Sequence, residues 1–295
     1  MTVTHDEYRR RRWTAARARM RATILWTLLG LALAVPLCAY AASPRGTAWT
    51  IGGGLIGVVL ILGFAALFAW QAAGRRASSL IMGEWAAANG WGHWSRDADG
   101  EGTGEPFPEA TPLLRLGDRR YVTDVLTGTV DGASVRIANH CFEDDSYDGK
   151  GRRTTTYTYH LVGLLEYPVA ISPMRVVRRS GLGRMLKGAD DATAGWGAMR
   201  VEDLENDLFR ERFSVRVADD ADPVQVFAVF DPQVQEDLAE GRAIPAVDLV
   251  EAEGPWLMLA SKGALDGDEL DRVEGMIAAV RWAMATLGSH SPPSG

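Results

Sequence analysis

Two long uncharged stretches dominate the N-terminal quarter of the chain. Residues 23–42 and residues 48–70 contain no Asp, Glu, Lys, Arg or His. A helix needs about 20 apolar residues to cross the hydrocarbon layer of a membrane. Trp or Tyr lies near each end of both stretches, where aromatic rings meet lipid headgroups. The pattern predicts a transmembrane hairpin of two helices.

Arginine is concentrated on the outer flanks of this predicted hairpin. Residues 1–76 carry 10 Lys and Arg against 2 acidic residues, and only Arg45 lies in the loop, residues 43–47, that joins the two helices. Because positive charge stays on the cytoplasmic side of a membrane, we expect an inner (plasma) membrane protein with both termini in the cytoplasm. The alternative is a signal peptide that ends at Ala39–Ala41, although the first stretch is long for one and a second follows directly.

The N-terminal arm and the second predicted helix offer contact surfaces. The arm, residues 1–22, interleaves arginine with Trp13 and alanine, as an interfacial helix on anionic lipid does. Its charges also suffice to orient the anchor without binding lipid. Gly53 and Gly57 form a G-x-x-x-G step that lets another helix approach closely. That helix belongs either to the same chain or to a second copy in a homo-oligomer, and both alternatives stay open.

Shorter periodic segments follow the anchor. Residues 71–106 read as a helical stretch closed by glycine, followed by a polar, glycine-rich linker. Residues 107–287 read as one folded domain. Within it, Asp131-Gly132 separates two β-branched runs and predicts a hairpin. A further strand-rich run covers residues 154–171, and we expect it to end near Pro173.

Helix signals are clearest towards the C-terminus. Asp222-Pro223 and Asp231-Pro232 each combine a capping side chain with proline in the first turn, which predicts two helix starts. The runs AVDLVEAEG and WLMLASKG are expected to pair across Gly254-Pro255. An amphipathic helix is predicted from about Asp268 to Leu287. Its apolar positions are Leu270, Val273, Ile277, Val280, Met284 and Leu287.

The order of these segments predicts the fold class. Strand runs are separated from helical runs, so we expect an α+β fold and not a doubly wound sheet. The N-terminal transmembrane hairpin is followed by a mixed, mainly antiparallel β cytosolic domain with a C-terminal helix. Residues 288–295, which are rich in Ser and Pro, are expected to form a disordered tail.

The part after the anchor is strongly acidic. Residues 77–295 carry 21 basic residues against 36 acidic ones, a formal charge of −15, whereas residues 1–76 carry +8. A segment with this charge repels phosphate backbones, so we expect no nucleic-acid partner. The two cysteines, Cys38 and Cys141, cannot form a disulfide framework, which is compatible with a reducing cytoplasm.

No motif for catalysis, cofactor binding or metal binding emerges from these patterns. His140 and Cys141 are neighbours on a predicted strand and point to opposite faces, so one metal ion cannot bind both. His160 is expected to be a packing or surface residue. The acidic run 143–148 matches the start of a calcium loop but reaches Thr155 where a bidentate Glu is required. We therefore expect a solvated hairpin tip with internal charge pairing, and neither a cofactor nor a metal.

The second half of the soluble part contains several short motifs in a fixed order. The run Phe209–Val217 reads F-x-x-x-F-x-V-x-V, and the Asp231-Pro232 helix start, a strand pair and a terminal helix follow it. In this arrangement the chain resembles a bacterial family of two-span membrane proteins of unknown function. The resemblance implies a cytosolic domain on a membrane hairpin, and it brings no activity and no catalytic residues.

Two hypotheses about function follow. The first is a membrane-anchored cytosolic interaction or scaffolding domain that binds an unknown protein partner or a second copy of itself. It rests on a well-patterned fold without an assembled site. The alternative is a membrane-tethered enzyme whose site is made from scattered Asp, Glu and His. Because no residue pattern indicates a reaction, we favour the interaction domain.

Overall fold

The computed structural model describes seven stretches of the chain and four isolated residues of the N-terminal arm. These are residues 77–95, 107–147, 149–179, 199–202, 204–241, 247–265 and 269–288, with residues 10, 13, 14 and 17. The predicted membrane helices, with Gly53 and Gly57, lie outside the described residues, as do the rest of the arm, the linker and the tail beyond Gly288. None of the helices within the described stretches has the length and hydropathy that a membrane crossing requires.

The chain divides into two compact units. The first comprises residues 1–82 with residues 266–268, and the second comprises residues 83–265 with residues 269–295. All strands of the sheet belong to the second unit. The description that follows concerns the second unit, apart from the first half of one helix.

Residues 77–89 form helix α1, and Gly90 follows it. Gly90 has a φ of 74°, the left-handed conformation that ends many helices and that glycine adopts without steric cost. This confirms the helical stretch closed by glycine. Strand β1 (Gly92–Ser95) comes directly after it, between the helical stretch and the linker, where the sequence predicted no strand. Four residues are too few for an alternating pattern to reveal a strand.

Strands β2 (Arg119–Val130) and β3 (Ala133–Tyr147) form the predicted hairpin. Asp131 and Gly132 between them have φ angles of 47° and 87°. Positive φ at both residues of a two-residue loop is typical of a type I′ turn, whose twist matches that of the flanking strands. β1 pairs antiparallel with the edge of β2 that faces away from β3.

Among the described residues, strand β4 (Arg153–Arg178) is the central strand of a seven-stranded sheet in which every pair is antiparallel. Its first half pairs with β3 and its second half with β6 (Phe213–Ala218), which in turn pairs with β5 (Met199–Glu202). The expected end of this strand near Pro173 is wrong, because the ladder continues beyond that residue. Pro173 lies at a register irregularity, where its missing N–H interrupts no regular ladder bond.

Strand β7 (Leu249–Lys262) corrects a second prediction. Its halves on either side of Gly254 do not form a hairpin with each other, since both pair with β4. The N–H of Asp248 donates to the carbonyl oxygen of Ala260, 12 residues further on, at 2.8 Å. A straight strand of that length would span about 40 Å. β7 therefore bends, with a φ of 59° at Gly254, until its two ends meet, and the sheet curls around its inner face.

The inner face of the curled sheet forms an apolar core with the short helix α2 (Pro112–Arg115). Its buried members are Leu113, Leu114, Val125, Ala138, Phe142, Val162, Leu164, Leu249, Met258 and Ala260. One ion pair is buried beside them. Arg175 Nε donates to Glu251 Oε1 at 2.7 Å, and the N–H of Leu113 donates to Glu251 Oε2 at 2.9 Å. Both residues are shielded from water, so breaking this pair would be costly.

Helix α6 (Leu270–Gly288) packs on the other face of the sheet and confirms the predicted C-terminal helix. A Cβ atom at Gly163 of β4 would lie 2.9 Å from Met276 Cγ, so a larger residue there would have to displace the Met276 side chain. The buried side chains of α6 are Leu270, Val273, Met276, Ala279, Val280 and Ala283. Ile277 and Met284, which the sequence places in the apolar stripe, are half-buried.

Three short helices flank β6. They are α3 (Asp207–Arg212), α4 (Pro223–Val229) and α5 (Pro232–Glu240), capped in that order by the side chains of Asn206, Asp222 and Asp231. Both Asp-Pro helix starts are therefore confirmed, and so is the strand in the second half of the Phe209–Val217 run. The fold is α+β, with a mainly antiparallel sheet and a C-terminal helix, as predicted.

Candidate functional site

The hairpin of β3 and β4 extends beyond the other strands. β2 begins at Arg119, opposite Glu143, and β7 ends at Lys262, opposite His160. Beyond these two points the hairpin has no neighbouring strand within the described part of the chain. The remaining two-stranded projection is called the tip ribbon and comprises residues 143–147 and 153–159.

One face of the tip ribbon is aromatic. Side chains alternate between the two faces of a strand, and the register places Tyr147, Tyr157 and Tyr159 on the same face. They are 67%, 53% and 38% exposed. The opposite face carries Thr154 and Thr156. Tyrosine combines a large apolar ring with a polar tip and is enriched where proteins bind one another. We call the three tyrosines the tyrosine face.

Charge pairs lie between the tyrosines and hold the ribbon together. Asp145 pairs with Arg153 on the facing strand and accepts from the hydroxyl of Thr155 at 2.6 Å. Arg119 Nη2 lies 2.9 Å from Glu143 Oε2 and 3.8 Å from Asp145 Oδ2. The Arg153 guanidinium, with help from Thr155, holds the pKa of the Asp145 carboxyl below its ordinary value. This confirms the predicted charge pairing at the hairpin tip.

The tyrosine face adjoins a buried thiol at the base of the ribbon. Tyr121, Cys141 and Tyr159 lie side by side on three strands. Cys141 is 1% exposed, and burial raises the pKa of its thiol. Burial also raises the pKa of Tyr121. A buried thiol with a raised pKa is protonated at neutral pH, so Cys141 is a packing residue and a poor nucleophile.

The next row of side chains on this face of the sheet is covered by another segment of the chain. Asn139 donates to the carbonyl oxygen of Leu265 at 3.3 Å and accepts from its N–H at 2.8 Å, which fixes Leu265 against this face of the sheet. The tyrosine face therefore begins where the cover over this face of the sheet ends.

Two histidines lie on the inner face. His140 and Cys141 do point to opposite sides of β3, as predicted, and His140 lies directly opposite His160 in the ladder. Phe142 is close to both, with ring centroids 6.1 Å from His140 and 5.9 Å from His160. Burial lowers the pKa of each histidine to about 4, so both are neutral at pH 7. His160 is thus a packing residue, as expected.

The structure also places the other candidate groups. Among the described residues, no cluster of three or more His, Cys, Asp or Glu is arranged to hold a metal ion, and Asp148 of the calcium-like run lies outside them. The tyrosine face is not among the features predicted from the sequence. Its signal is the Tyr157-Thr158-Tyr159 spacing, which puts both rings on one face once the strand is known.

The fold and this surface define an α+β domain with a curled antiparallel sheet and an exposed aromatic ribbon. No protein-family model matches the chain, and no curated protein matches it. The solved structure of the mycobacterial trehalose monomycolate transport factor A, TtfA, is similar over 75% of this chain and 99% of its own length. The sequence identity is 12% and the TM-score is 0.45. Similarity at this level does not define a function.

Proposed function

We propose that this protein is a membrane-anchored interaction domain that binds a protein partner through its tyrosine face. Residues 23–42 and 48–70 form the anchor in the inner membrane, and both termini lie in the cytoplasm. The arginine distribution around the two uncharged stretches supports this topology. In this proposal the chain belongs with the two-span membrane proteins that it resembles in sequence.

The exposure of Tyr147, Tyr157 and Tyr159 on one side of a projecting ribbon is the observation that carries the proposal. Burying an aromatic side chain of this size against a partner is favourable, and tyrosine is a frequent energetic centre of protein interfaces. The pairs made by Asp145 and Arg119 hold the ribbon in its shape before any partner binds. A preformed surface loses less conformational entropy on binding than a flexible one.

The charges on the ribbon favour a protein over an anionic polymer or lipid surface. Arg119 and Arg153 are balanced by Glu143 and Asp145 on the same surface. The part of the chain after the anchor has a formal charge of −15, which repels nucleic acid. A neutral, mixed-charge surface with aromatic centres matches the composition of protein interfaces.

Site-specific photo-crosslinking in cells tests this proposal on the full chain. A photoreactive amino acid at Tyr157 should form a covalent adduct with the partner, whereas the same amino acid at Thr156 should not. Thr156 is a matched control because it is the adjacent residue on the opposite face of the same strand. Equal crosslinking from both positions, or none from Tyr157 in a correctly inserted protein, would contradict the proposal. An adduct with twice the mass of the chain would identify a second copy as the partner.

A further inference from the structure

A cleft of about 460 Å³ lies where β4 ends and β6 begins, and its lining residues lie outside the tip ribbon. In the part of the chain that the structure describes, its lining residues are Arg178, Arg179, Glu211, Arg212, Phe213, Leu238, Ala239 and Gly241. Its volume falls within the range of small-molecule sites, about 300 to 1,000 Å³. Three arginines and one glutamate give the lining a formal charge of +2, within a segment of the chain that is strongly acidic as a whole.

The sheet register brings these arginines together from distant parts of the sequence. Arg178 is the last residue of β4 and lies opposite Phe213, the first residue of β6, so the end of β4 meets the end of α3. The N–H of Arg179 donates to the carbonyl oxygen of Arg212 at 2.7 Å, which joins the two backbones. The cluster thus depends on regular ladder geometry and does not arise from a run of charge along the chain.

Uncharged groups hold two of the guanidinium groups in place. Arg179 Nε donates to the carbonyl oxygen of Phe213 at 3.0 Å, and Arg212 Nη1 donates to the carbonyl oxygen of Ala239 in the last turn of α5. Arg178 stacks over the Phe213 ring, 5.5 Å from its centroid. A carbonyl oxygen orients a guanidinium but does not cancel its charge. The guanidinium groups of Arg179 and Arg212 each have five N–H donors, so one such bond leaves capacity for a ligand.

We propose that this cleft binds a phosphate monoester. Arginine presents paired N–H groups that match phosphate oxygens, and charge-assisted bonds of this kind are about twice as strong as neutral ones. A phosphate monoester carries a charge of about −1.5 to −2 at pH 7, which balances the lining. Leu238 and the ring of Phe213 supply an apolar wall for the carbon skeleton. The site is separate from the tyrosine face and does not depend on the proposed function.

Calorimetric titration of the full chain in detergent micelles tests the site with two probes. Inorganic phosphate represents a free ligand, and short-chain phosphatidic acid represents a lipid headgroup with a phosphate monoester. Saturable binding of at least one probe supports the site, and if both probes bind they should compete with each other. Binding of phosphatidic acid alone identifies the lipid as the source, and equal binding identifies free phosphate as sufficient.

Variants connect the binding to the cleft. Arg179→Gln should weaken binding about tenfold or more, because it removes a charge-assisted bond. Glu211→Gln should strengthen binding, because it removes the single carboxylate of the lining. Arg210→Gln is the matched control. Arg210 lies on α3, the helix that carries Glu211 and Arg212, but it pairs with Asp207 and is not among the residues that line the cleft.

Three results would overturn the proposal. One is the absence of saturable binding of both probes, and another is equal weakening by Arg179→Gln and Arg210→Gln. The third is weaker binding in Glu211→Gln. Circular dichroism of each variant establishes that the fold is retained, so a loss of binding reports on the cleft and not on unfolding.

Discussion

Acid should destabilise the sheet through the paired histidines of its inner face. The pKa of His140 and of His160 is about 4 in the folded protein, against an ordinary value of 6.5. Between these two pH values the unfolded chain takes up protons that the folded protein excludes. The contribution of the neutral pair is therefore complete above pH 6.5 and is lost as the pH falls towards 4.

The size of the effect follows from the two pKa shifts. Each pKa unit corresponds to about 1.4 kcal/mol, so each histidine accounts for about 3 kcal/mol and the pair for about 6 kcal/mol at pH 4. A domain is stable by only about 5 to 15 kcal/mol, so a loss of this size is a large part of the total. The nearby charged groups are Arg120 and Glu109 beside His140, with Asp248 and Lys262 beside His160.

Urea unfolding of the full chain in detergent at pH 7.5 and pH 4, followed by circular dichroism, measures this loss. In His160→Met the difference in unfolding free energy between the two pH values should shrink by about 3 kcal/mol or more, because one proton-binding group is removed and His140 loses a charged neighbour. Thr158→Ala is the control. Thr158 lies opposite Phe142 in the ladder, and its replacement should lower the free energy of unfolding equally at both pH values. An unchanged pH dependence in His160→Met would refute the reasoning.

Three further predictions concern the anchor and the core. A reporter that is active only in the cytoplasm should work when fused after Gly295, and activity of an exported reporter there would contradict the topology. If the glycine step joins two chains, Gly57→Ile should weaken self-association in membranes while Val58→Ile does not; an unchanged oligomer distribution would indicate packing within one chain. Glu251→Gln should cost about 3 to 5 kcal/mol in urea unfolding because it breaks a buried ion pair with Arg175, and no loss would show that the pair does not stabilise the fold.

Local signals in the sequence predicted individual elements well. The type I′ turn depends only on Asp131 and Gly132, and the start of α5 depends only on Asp231 and the proline after it. Such signals act within a few residues, so they need no information about the rest of the fold. The C-terminal helix was predicted for the same reason, from its own periodicity.

Pairing between distant segments was predicted less well. The residue patterns on either side of Gly254 fit pairing with each other and pairing with a third strand equally well. β4 is long enough to pair with both runs, and this decided the outcome. The strand pattern around Pro173 also has two interpretations, since proline ends a central strand but is tolerated at an irregularity. In both cases the partner strand, which is remote in sequence, resolves the choice.

The sequence by itself determined the class of the fold, the hairpin turn, the capped helices and the acidic charge of the domain, because propensity, capping and net charge are local or additive properties. Only the tertiary structure decided which surfaces exist. Tyr147 and Tyr157 share a face because the ladder sets their register, and Arg179 meets Arg212 because β4 ends where β6 begins. Pairing between distant strands sets these positions, and the order of residues along one strand does not specify which strands will pair.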